Sequence, residues 1–233
     1  MKREVVITAD GSSTIHLPDW DEQYHSKHGA IQEAYHVFIT HGLRYFVSKK
    51  TSSTDIGLNK HENDISILEI GFGTGLNAFI TLLEAETLKQ SINYVGVEGY
   101  PVDLNEIKQL NYVKELGAAK YESLFDNIHS VSWDEKHVVS NSFSLIKQNK
   151  FFSEINDINA FNIIYFDAFG ARVQPELWTE SIFLKMYNAL KPKGIIVTYA
   201  AKGSVRRAMQ AVGFIVERLP GPPGKREMLR GTK

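Results

Sequence analysis

Residues 68–77 read Leu-Glu-Ile-Gly-Phe-Gly-Thr-Gly-Leu-Asn, and this stretch decides the fold. The apolar segment over 65–70 predicts a β-strand, and the residues from 76 to 87 predict a helix. The glycines between them let the backbone turn tightly and approach a ligand at the carboxyl end of the strand, where open α/β sheets bind their ligands. The loop also satisfies the G-x-G-x-x-A pattern of nucleotide-binding dehydrogenases over 73–78, so by itself it leaves the cofactor open.

Outward from this loop, apolar strands alternate with helices, which predicts a mainly parallel sheet with helices on both faces. Two further strands joined by a loop rich in Pro and Gly predict an antiparallel hairpin. This hairpin favours the methyltransferase variant of the Rossmann-like α/β fold over a dehydrogenase sheet. The predicted strands cover 94–97, 143–146, 161–166, 194–199, 214–219 and 226–230, and the predicted helices cover 102–116, 180–190 and 204–212.

The first 64 residues predict a small N-terminal β/α extension to this core. Weak alternation over 1–20 predicts a β-hairpin, and helical spacing over 29–46 predicts a helix. The polar, aperiodic residues 47–64 predict a surface loop. We therefore expect one domain over 1–233, with the extension and loop in 1–64 and the Rossmann-like core in 65–233.

The composition excludes several classes of protein. The 233 residues contain no cysteine, which rules out disulfides, thiolate catalysis and cysteine-ligated zinc, and which fits a reducing cytoplasm. The sequence has no apolar run of about 18 residues, and its N-terminus lacks the apolar core of a signal peptide. We therefore expect a cytoplasmic protein that does not span a membrane.

Charge is unevenly distributed along the chain. The net charge is −1, yet residues 191–233 hold ten Lys and Arg against two Glu, while the preceding residues carry a net charge of −9. Such asymmetry fits a protein with one anion-binding surface, and it fits a solvated basic face equally well.

Three carboxylates follow predicted strands at the ligand-binding edge of the sheet. Glu69 is placed to organise the glycine loop and to face the positive amino-acid end of S-adenosylmethionine. Glu98 is placed to accept hydrogen bonds from both ribose hydroxyls, which would suit NAD equally well. Asp167 is placed where cofactor and substrate meet, so it can orient an amine or accept its proton during methyl transfer. Apolar or cation–π walls for the sulfonium are offered by Phe72, Tyr100, Phe169 and Trp178.

Histidines are concentrated near the N-terminus, where His25 and His28 have the spacing of metal ligands on a helix. Neither a His-Glu-x-x-His pattern nor a second set of carboxylates accompanies this pair. We therefore expect no metal site.

Several blocks of the sequence resemble the methyltransferase part of the bifunctional tRNA 5-methylaminomethyl-2-thiouridine biosynthesis proteins (MnmC) and their free-standing relatives. The resemblance runs over nearly the whole chain. The glycine loop is generic, whereas the blocks around Asp167 and over 225–229 are specific. The blocks are Gly-Ala-Ile-Gln-Glu-Ala-Tyr-His-Val-Phe (29–38), the loop (69–77), Tyr-Phe-Asp-Ala-Phe (165–169), Gln-Pro-Glu-Leu-Trp-Thr (174–179), Thr-Tyr-Ala-Ala-Lys-Gly-Ser-Val-Arg-Arg (198–207) and Pro-Gly-Pro-Pro-Gly-Lys-Arg-Glu-Met-Leu (220–229).

This resemblance implies an S-adenosylmethionine-dependent methyltransferase that methylates the aminomethyl group of 5-aminomethyl-(2-thio)uridine at the tRNA wobble position. It places Asp167 at the reaction centre. No FAD-dependent oxidase domain fits within this sequence, so the amine is expected from a separate oxidase or from the enzymes that form aminomethyl uridine. The residues expected to bind the cofactor are Glu33, Tyr35, Glu69, Gly71, Phe72, Gly73, Gly75, Asn77, Glu98, Gly99, Asn149 and Ala168.

The chain departs from the family pattern at two places. Asp-Ala-Phe is followed by Gly170 and Ala171 where the family has Ala-Pro, so we expect a looser loop beside the substrate. The region after the third core strand, 147–150, lacks the acidic residue that binds the adenine amino group in many methyltransferases. Asn149 is the expected substitute.

The basic C-terminal segment gains a role under this hypothesis. Lys and Arg side chains bind RNA phosphates, and a wobble base already lies in a loop, where flipping it out to stack on an aromatic ring costs little. We expect a monomer that binds the anticodon loop of tRNA. The predicted phosphate contacts are Lys202, Arg206, Arg207, Lys225 and Arg226, and the predicted stacking residues are Phe169 and Trp178.

Three alternatives stay open on the sequence. The first keeps the fold and methylates a small-molecule or protein amine. The second is a nicotinamide-dependent oxidoreductase, against which the closing hairpin speaks. The third is a non-catalytic tRNA-binding module, which would not need Glu69, Glu98 and Asp167 together.

Overall fold

The computed structural model of the protein describes residues 2–52 and 64–233. Its strands are β1 (Glu4–Ile7), β2 (Ser13–Leu17), β3 (Glu22–Gln23), β4 (Ile65–Ile70), β5 (Ile92–Val97), β6 (Lys136–Ser140), β7 (Phe143–Gln148), β8 (Phe161–Phe166), β9 (Leu190–Thr198), β10 (Ile215–Pro220) and β11 (Glu227–Thr232). Its α-helices are α1 (Ala30–Ala34), α2 (Tyr45–Ser52), α3 (Leu76–Leu88), α4 (Leu104–Ile107), α5 (Tyr112–Glu115), α6 (Glu122–Ser130), α7 (Glu180–Ala189) and α8 (Gly203–Ala211).

The core is an eight-stranded sheet in the order β10-β11-β9-β8-β4-β5-β7-β6. The five central strands, β9, β8, β4, β5 and β7, run parallel to one another. Strand β11 pairs antiparallel with both β9 and β10. The predicted parallel core and the predicted antiparallel hairpin are therefore both confirmed.

The connectivity places a crevice above the middle of this sheet. From β4 the chain builds outward through β5 to β7, then returns to β8 on the other side of β4 and continues to β9. Open sheets bind ligands where the strand order reverses in this way, at the carboxyl ends of the strands. The glycine loop follows β4 and Asp167 follows β8, so both lie at this reversal point.

Helices cover both faces because the central strands are apolar on both sides. In β4, Ile65 and Ile67 belong to one buried cluster, while Leu68 and Ile70 belong to the other. The first cluster packs against α3, α6 and the helical segment that begins at α1, and the second packs against α7 and α8. Parallel strands buried on both faces read as nearly continuous apolar runs, which is how β4 and β8 appear in the sequence.

The N-terminal residues form a small sheet that docks on the core. Strands β1, β2 and β3 pair antiparallel, so the predicted hairpin is confirmed with one short strand added. From α1 the chain stays helical through a π-helical segment, Tyr35–Arg44, and then α2. The predicted helix over 29–46 is thus confirmed and extends further. Its continuation through 47–52 shows that the predicted surface loop over 47–64 was wrong at its start, and residues 53–63 lie outside the described residues.

The predicted single helix over 102–116 was wrong, because the segment forms two short helices, α4 and α5, separated at Asn111. The Asn111 side chain accepts a hydrogen bond from the Ser13 backbone amide at 2.7 Å and donates one to the Gly11 carbonyl at 2.9 Å. This contact with the N-terminal sheet interrupts the helix. The structure also contains α6 and β6 between residues 117 and 142, a region for which no element was predicted.

Among the residues that the structure describes, no helix is both long and apolar enough to cross a membrane.

Candidate functional site

The glycine loop bends sharply as it leaves β4. Gly71, Gly73 and Gly75 have φ angles of 89°, 49° and 70°, in the left-handed region that favours glycine. The amides of Gly71 and Phe72 both donate to the Val97 carbonyl at 3.0 Å, which ties the loop to the end of β5. Helix α3 begins directly after Gly75. The loop therefore runs across the crevice with its backbone close to any ligand there.

Two carboxyl groups meet at one amide beneath this loop. The Asn77 Nδ2 group donates to Glu69 Oε1 at 2.9 Å and to Asp167 Oδ2 at 2.8 Å. Burial raises the pKa of Asp167 to about 7, and the nearby charge of Glu33 adds to this, while the Asn77 hydrogen bond and Lys225 oppose it. Burial also raises the pKa of Glu69 well above its usual range. Asn77 thus joins the ends of β4 and β8 at a site where proton transfer near neutral pH is possible.

Glu98 is fixed by the backbone around it. Its carboxylate accepts hydrogen bonds from the Gly73 amide at 3.0 Å and from the Tyr100 amide at 2.9 Å. A carboxylate has about four acceptor positions, so these two bonds leave others free for a ligand. Glu98 therefore presents an oriented acceptor to the crevice.

A large cavity of about 1180 Å³ occupies the crevice. The glycine loop, Glu98 and the segment after β8 all line it. The N-terminal extension and the segment after β7 close it further. The residues of these two segments that line it include Arg3, Leu17, Trp20, Tyr24, His25, Phe151, Phe152 and Ser153.

A smaller cavity of about 460 Å³ adjoins the first. Tyr24, His25, Ala168 and Phe169 line both cavities. The other lining residues of the second cavity include Asp21, Glu22, His28, Glu33, Tyr199 and Lys225.

Comparison with known proteins decides the family. A family model described as S-adenosyl-L-methionine-dependent methyltransferase matches residues 111–233. The chain belongs to this family. S-adenosyl-L-methionine is therefore the cofactor, and the nicotinamide-dependent alternative was wrong.

Curated relatives of this methyltransferase carry the name tRNA 5-methylaminomethyl-2-thiouridine biosynthesis bifunctional protein MnmC. The protein of Leptospira borgpetersenii is 28% identical over 228 residues, which cover 91% of this chain and 32% of the relative. The protein of Pseudomonas savastanoi is 26% identical over 242 residues, which cover 92% of this chain and 34% of the relative. The chain thus spans about one third of the length of these relatives.

Two solved structures share the fold of the methyltransferase. MNMC2 from Aquifex aeolicus has a TM-score of 0.76 at 24% sequence identity, covering 99% of this chain and 69% of that chain. Spermidine synthase from Thermotoga maritima has a TM-score of 0.53 at 15% identity, covering 98% of this chain and 72% of that chain. At these identities the likeness supports the fold and nothing further.

The first cavity fits the cofactor in size and chemistry. A cavity of about 1180 Å³ is ample for a nucleoside joined to an amino acid. Glu98 offers acceptors for two hydroxyl groups, and Glu69 also lines the cavity. At Gly71, an added Cβ would lie 2.7 Å from the Asp167 carbonyl oxygen, so the wall has room for backbone only.

The structure brings together most residues predicted to bind the cofactor, although their contacts with it stay a prediction. Gly75 lies in the turn at the start of α3 and is absent from the lining of both cavities. Those that line the first cavity are Glu69, Gly71, Phe72, Gly73, Asn77, Glu98, Gly99 and Ala168.

Three predicted cofactor residues lie elsewhere. Asn149 is exposed, with its backbone amide bonded to Asp134 Oδ1 at 3.3 Å, so it does not line the cavity as the adenine prediction requires. Tyr35 is half-buried against the first core cluster. Glu33 lines the second cavity, where it pairs with Lys225. The segment after β7 reaches the first cavity through Phe151, Phe152 and Ser153 rather than through Asn149.

The predicted RNA-binding residues differ in their exposure and in their contacts. Phe169 lies between the two cavities and makes edge contacts with Trp20 and Tyr24. Trp178 does not suit base stacking, because it is 5% exposed, donates to the Phe169 carbonyl at 2.8 Å and packs in the second core cluster. Lys225 is held by Glu33, and Arg206 is half-buried. The exposed cations of the set are Lys202, Arg207 and Arg226.

The sequence reasoning missed the contribution of the N-terminal extension. Trp20, Tyr24 and Arg3 line the first cavity, and Arg3 reaches Glu106 at 3.0 Å. His25 does not lie on a helix; it contacts Thr14 at 3.1 Å, and burial lowers its pKa to about 4. Aromatic residues close together outside the predicted helices were the available signal, but the residues that they contact are distant in sequence.

His129 supports the glycine loop from below and makes stability depend on pH. Its ring packs on Phe125 at 4.7 Å and lies beside Gly75. Burial, and secondarily the charge of Lys147, lower its pKa to about 3. In the unfolded chain its pKa is about 6.5. The neutral ring therefore contributes stability above about pH 6.5, and this contribution is lost as the pH falls towards the folded-state value.

We expect His129→Leu to remove this dependence. Between pH 7 and pH 5, the free energy of unfolding of the wild type should fall relative to that of the variant by about 1–2 kcal/mol, because only the wild type takes up this proton on unfolding. Urea unfolding of both proteins at the two pH values measures the difference. A constant difference across that range would contradict the assignment. Taking the difference cancels the opposing pH dependence of Asp167 and Glu69, which both proteins share.

Proposed function

We propose that this methyltransferase transfers a methyl group to the amine of 5-aminomethyl uridine, with or without 2-thiolation, at the wobble position of tRNA. The observation that carries the proposal is the position of Asp167: it lines the first cavity and directly precedes Ala168 and Phe169, which line both cavities. Burial raises its pKa to about 7. The names of the curated relatives, which align along 91% of this chain, support the substrate. The fold and the family account for the transfer chemistry.

Asp167 is suited to prepare an amine for attack. S-adenosylmethionine supplies an electrophilic methyl carbon on a sulfonium sulfur. An aliphatic amine is largely protonated at neutral pH and has no free electron pair in that form, so it must lose a proton before it attacks. Asp167 accepts that proton when it is ionised, and Asn77 holds the carboxyl group through Oδ2. The nitrogen pair then forms the new C–N bond while the electrons of the C–S bond stay on sulfur.

The carboxyl cluster also controls the charge in the crevice. Glu69 and Asp167 share the Asn77 amide, so their two negative charges would repel each other across it. The raised pKa of Glu69 favours its protonated form, which leaves Asp167 as the group that titrates near neutral pH.

An RNA substrate agrees with the exposed cations of the C-terminal part of the chain. Arg226 is exposed next to Lys225 in the sequence, Lys202 is exposed directly before α8, and Arg207 is exposed within α8. Such side chains bind phosphates and set the position of an RNA, whereas base contacts select it. Phe169, between the cavities, is the aromatic residue best placed to stack on a flipped base. We place the activity in the cytoplasm.

A methyl-transfer assay tests the proposal. The purified protein is incubated with isotopically labelled S-adenosylmethionine and tRNA from cells that lack this activity, and the digested nucleosides are separated. We expect label in 5-methylaminomethyl uridine or its 2-thio form. Binding of S-adenosylhomocysteine without label in tRNA would overturn the tRNA substrate and leave the family intact. Label in an added small-molecule amine instead would support the alternative substrate class.

A further inference from the structure

The second cavity is placed to hold whatever group is methylated. Its volume of about 460 Å³ lies within the range of small-ligand sites. Ala168 and Phe169 line both cavities, and Asp167, directly before them, lines the first. A ring held in the second cavity would therefore have its substituent beside Asp167.

An ion pair lies in this cavity. Lys225 Nζ contacts Glu33 Oε1, and Glu33 is 6% exposed. The Glu33 Oε2 atom accepts a hydrogen bond from the Ser26 amide at 2.9 Å. Lys225 Nζ lies 3.9 Å from the centre of the Tyr199 ring, and the Tyr199 hydroxyl donates to the Ala168 carbonyl at 2.8 Å. The pair is thus fixed relative to the segment that follows Asp167.

The Lys225–Glu33 ion pair is not needed simply to hold the segments around these two residues together. Removing an ion pair from water costs free energy that the attraction between the partners often fails to recover, and well-packed apolar side chains tether as well. Lys225 has three N–H donors and spends one on Glu33. The Glu33 carboxylate has about four acceptor positions and spends two, on Lys225 and Ser26. Unused donors on Lys225 and unused acceptor positions on Glu33 therefore lie next to each other in the cavity.

We propose that the second cavity binds the acceptor nucleobase and that Lys225 and Glu33 read the edge of a uracil ring. This inference rests on the proposed function. Uracil presents the C4 carbonyl, an acceptor, next to N3–H, a donor, which match the Lys225 ammonium and the Glu33 carboxylate. Cytosine presents the reverse order, an amino donor next to the N3 acceptor. It would place a donor against Lys225 and an acceptor against Glu33. Sulfur at position 2 leaves this edge unchanged.

Two RNA substrates test the inference. They are anticodon stem-loops that carry either 5-aminomethyluridine or 5-aminomethylcytidine at the wobble position. For the wild type we expect kcat/KM to favour the uridine RNA by about 10- to 100-fold, the discrimination that two matched hydrogen bonds provide. Lys225→Met and Glu33→Gln should lower kcat/KM for the uridine RNA and bring the ratio close to one. Lys225→Arg, which keeps a charged donor, should retain the uridine preference.

Affinity for S-adenosylhomocysteine, measured by calorimetry, reports whether each variant is folded, and it should stay within about twofold of the wild type. Arg226→Met is the matched control, because this exposed neighbour should affect both RNAs equally and leave the ratio unchanged. An unchanged ratio in both Lys225→Met and Glu33→Gln would overturn the inference. A parallel loss of S-adenosylhomocysteine affinity would also overturn it, because the pair would then bind the amino-acid end of the cofactor. If the wild type methylated neither RNA, the proposed function itself would fail.

Discussion

Asp167→Asn should lower kcat by about 10²- to 10⁴-fold, the usual contribution of a positioned proton acceptor, while affinity for S-adenosylhomocysteine is retained. The substitution keeps the shape of the side chain, but an amide cannot accept the proton of an amine at neutral pH. In the wild type, burial raises the pKa of Asp167 to about 7, so the carboxyl is protonated below that value and ionised above it. The rate should therefore rise with pH up to about 7 and then level.

The pH profile separates this role from a structural one. In Asp167→Asn the residual rate should lose the rise below pH 7, because no carboxyl titrates at that position. Glu176→Gln is the matched control, since Glu176 is an exposed carboxylate that lines the same cavity. It should keep both the rate and the profile. If Asp167→Asn kept its rate, or lost rate while the rise below pH 7 remained, another group would be the proton acceptor.

The parts of this structure that the sequence predicts correctly are those determined by neighbouring residues. Strand β4, the glycine turn and α3 lie within 24 consecutive residues, and apolar spacing with glycine predicts their order. The carboxylates that end β4, β5 and β8 are brought together by the parallel sheet, which the alternation of strands and helices already implies.

Features that depend on distant partners could not be predicted in this way. Asn111 interrupts a regular helical pattern because it bonds to Ser13 and Gly11, about 100 residues earlier in the chain. Glu33 was predicted to contact the cofactor, and Lys225 was predicted to contact a phosphate. The two residues are 192 positions apart in the sequence, yet they bind each other. Sequence spacing carries no information about such a pairing.

Aromatic side chains show the same limit. The sequence analysis predicted both Phe169 and Trp178 to stack on a base. The structure buries Trp178 against Phe166 and Phe183, while Phe169 stays half-buried between the cavities. A large aromatic ring fills either a core or a cavity wall, and only the packing of neighbouring helices decides between them.

Gly71→Ala should greatly weaken cofactor binding. An added Cβ would lie 2.7 Å from the carbonyl oxygen of Asp167 and 3.2 Å from its carbonyl carbon. These are backbone atoms at the end of β8, where the Asp167 amide donates to the Ile70 carbonyl at 2.9 Å, so they cannot turn away as a flexible side chain would. The loop and Asp167 must separate, and this displaces two neighbouring segments that both line the first cavity. We expect affinity for S-adenosylhomocysteine to fall by roughly 100-fold or more, with a loss of unfolding free energy of about 2–4 kcal/mol.

Gly117→Ala distinguishes this clash from the general strain of alanine in a left-handed conformation. Gly117 has a φ of 61°, and an added Cβ there would meet nothing within 4 Å. This control should lose only about 1–2 kcal/mol of unfolding free energy and should bind S-adenosylhomocysteine normally. Calorimetric titration of both variants, with urea unfolding alongside, makes the comparison. If Gly71→Ala bound the ligand as tightly as Gly117→Ala, close approach of the loop to Asp167 would not be what shapes the cofactor cavity.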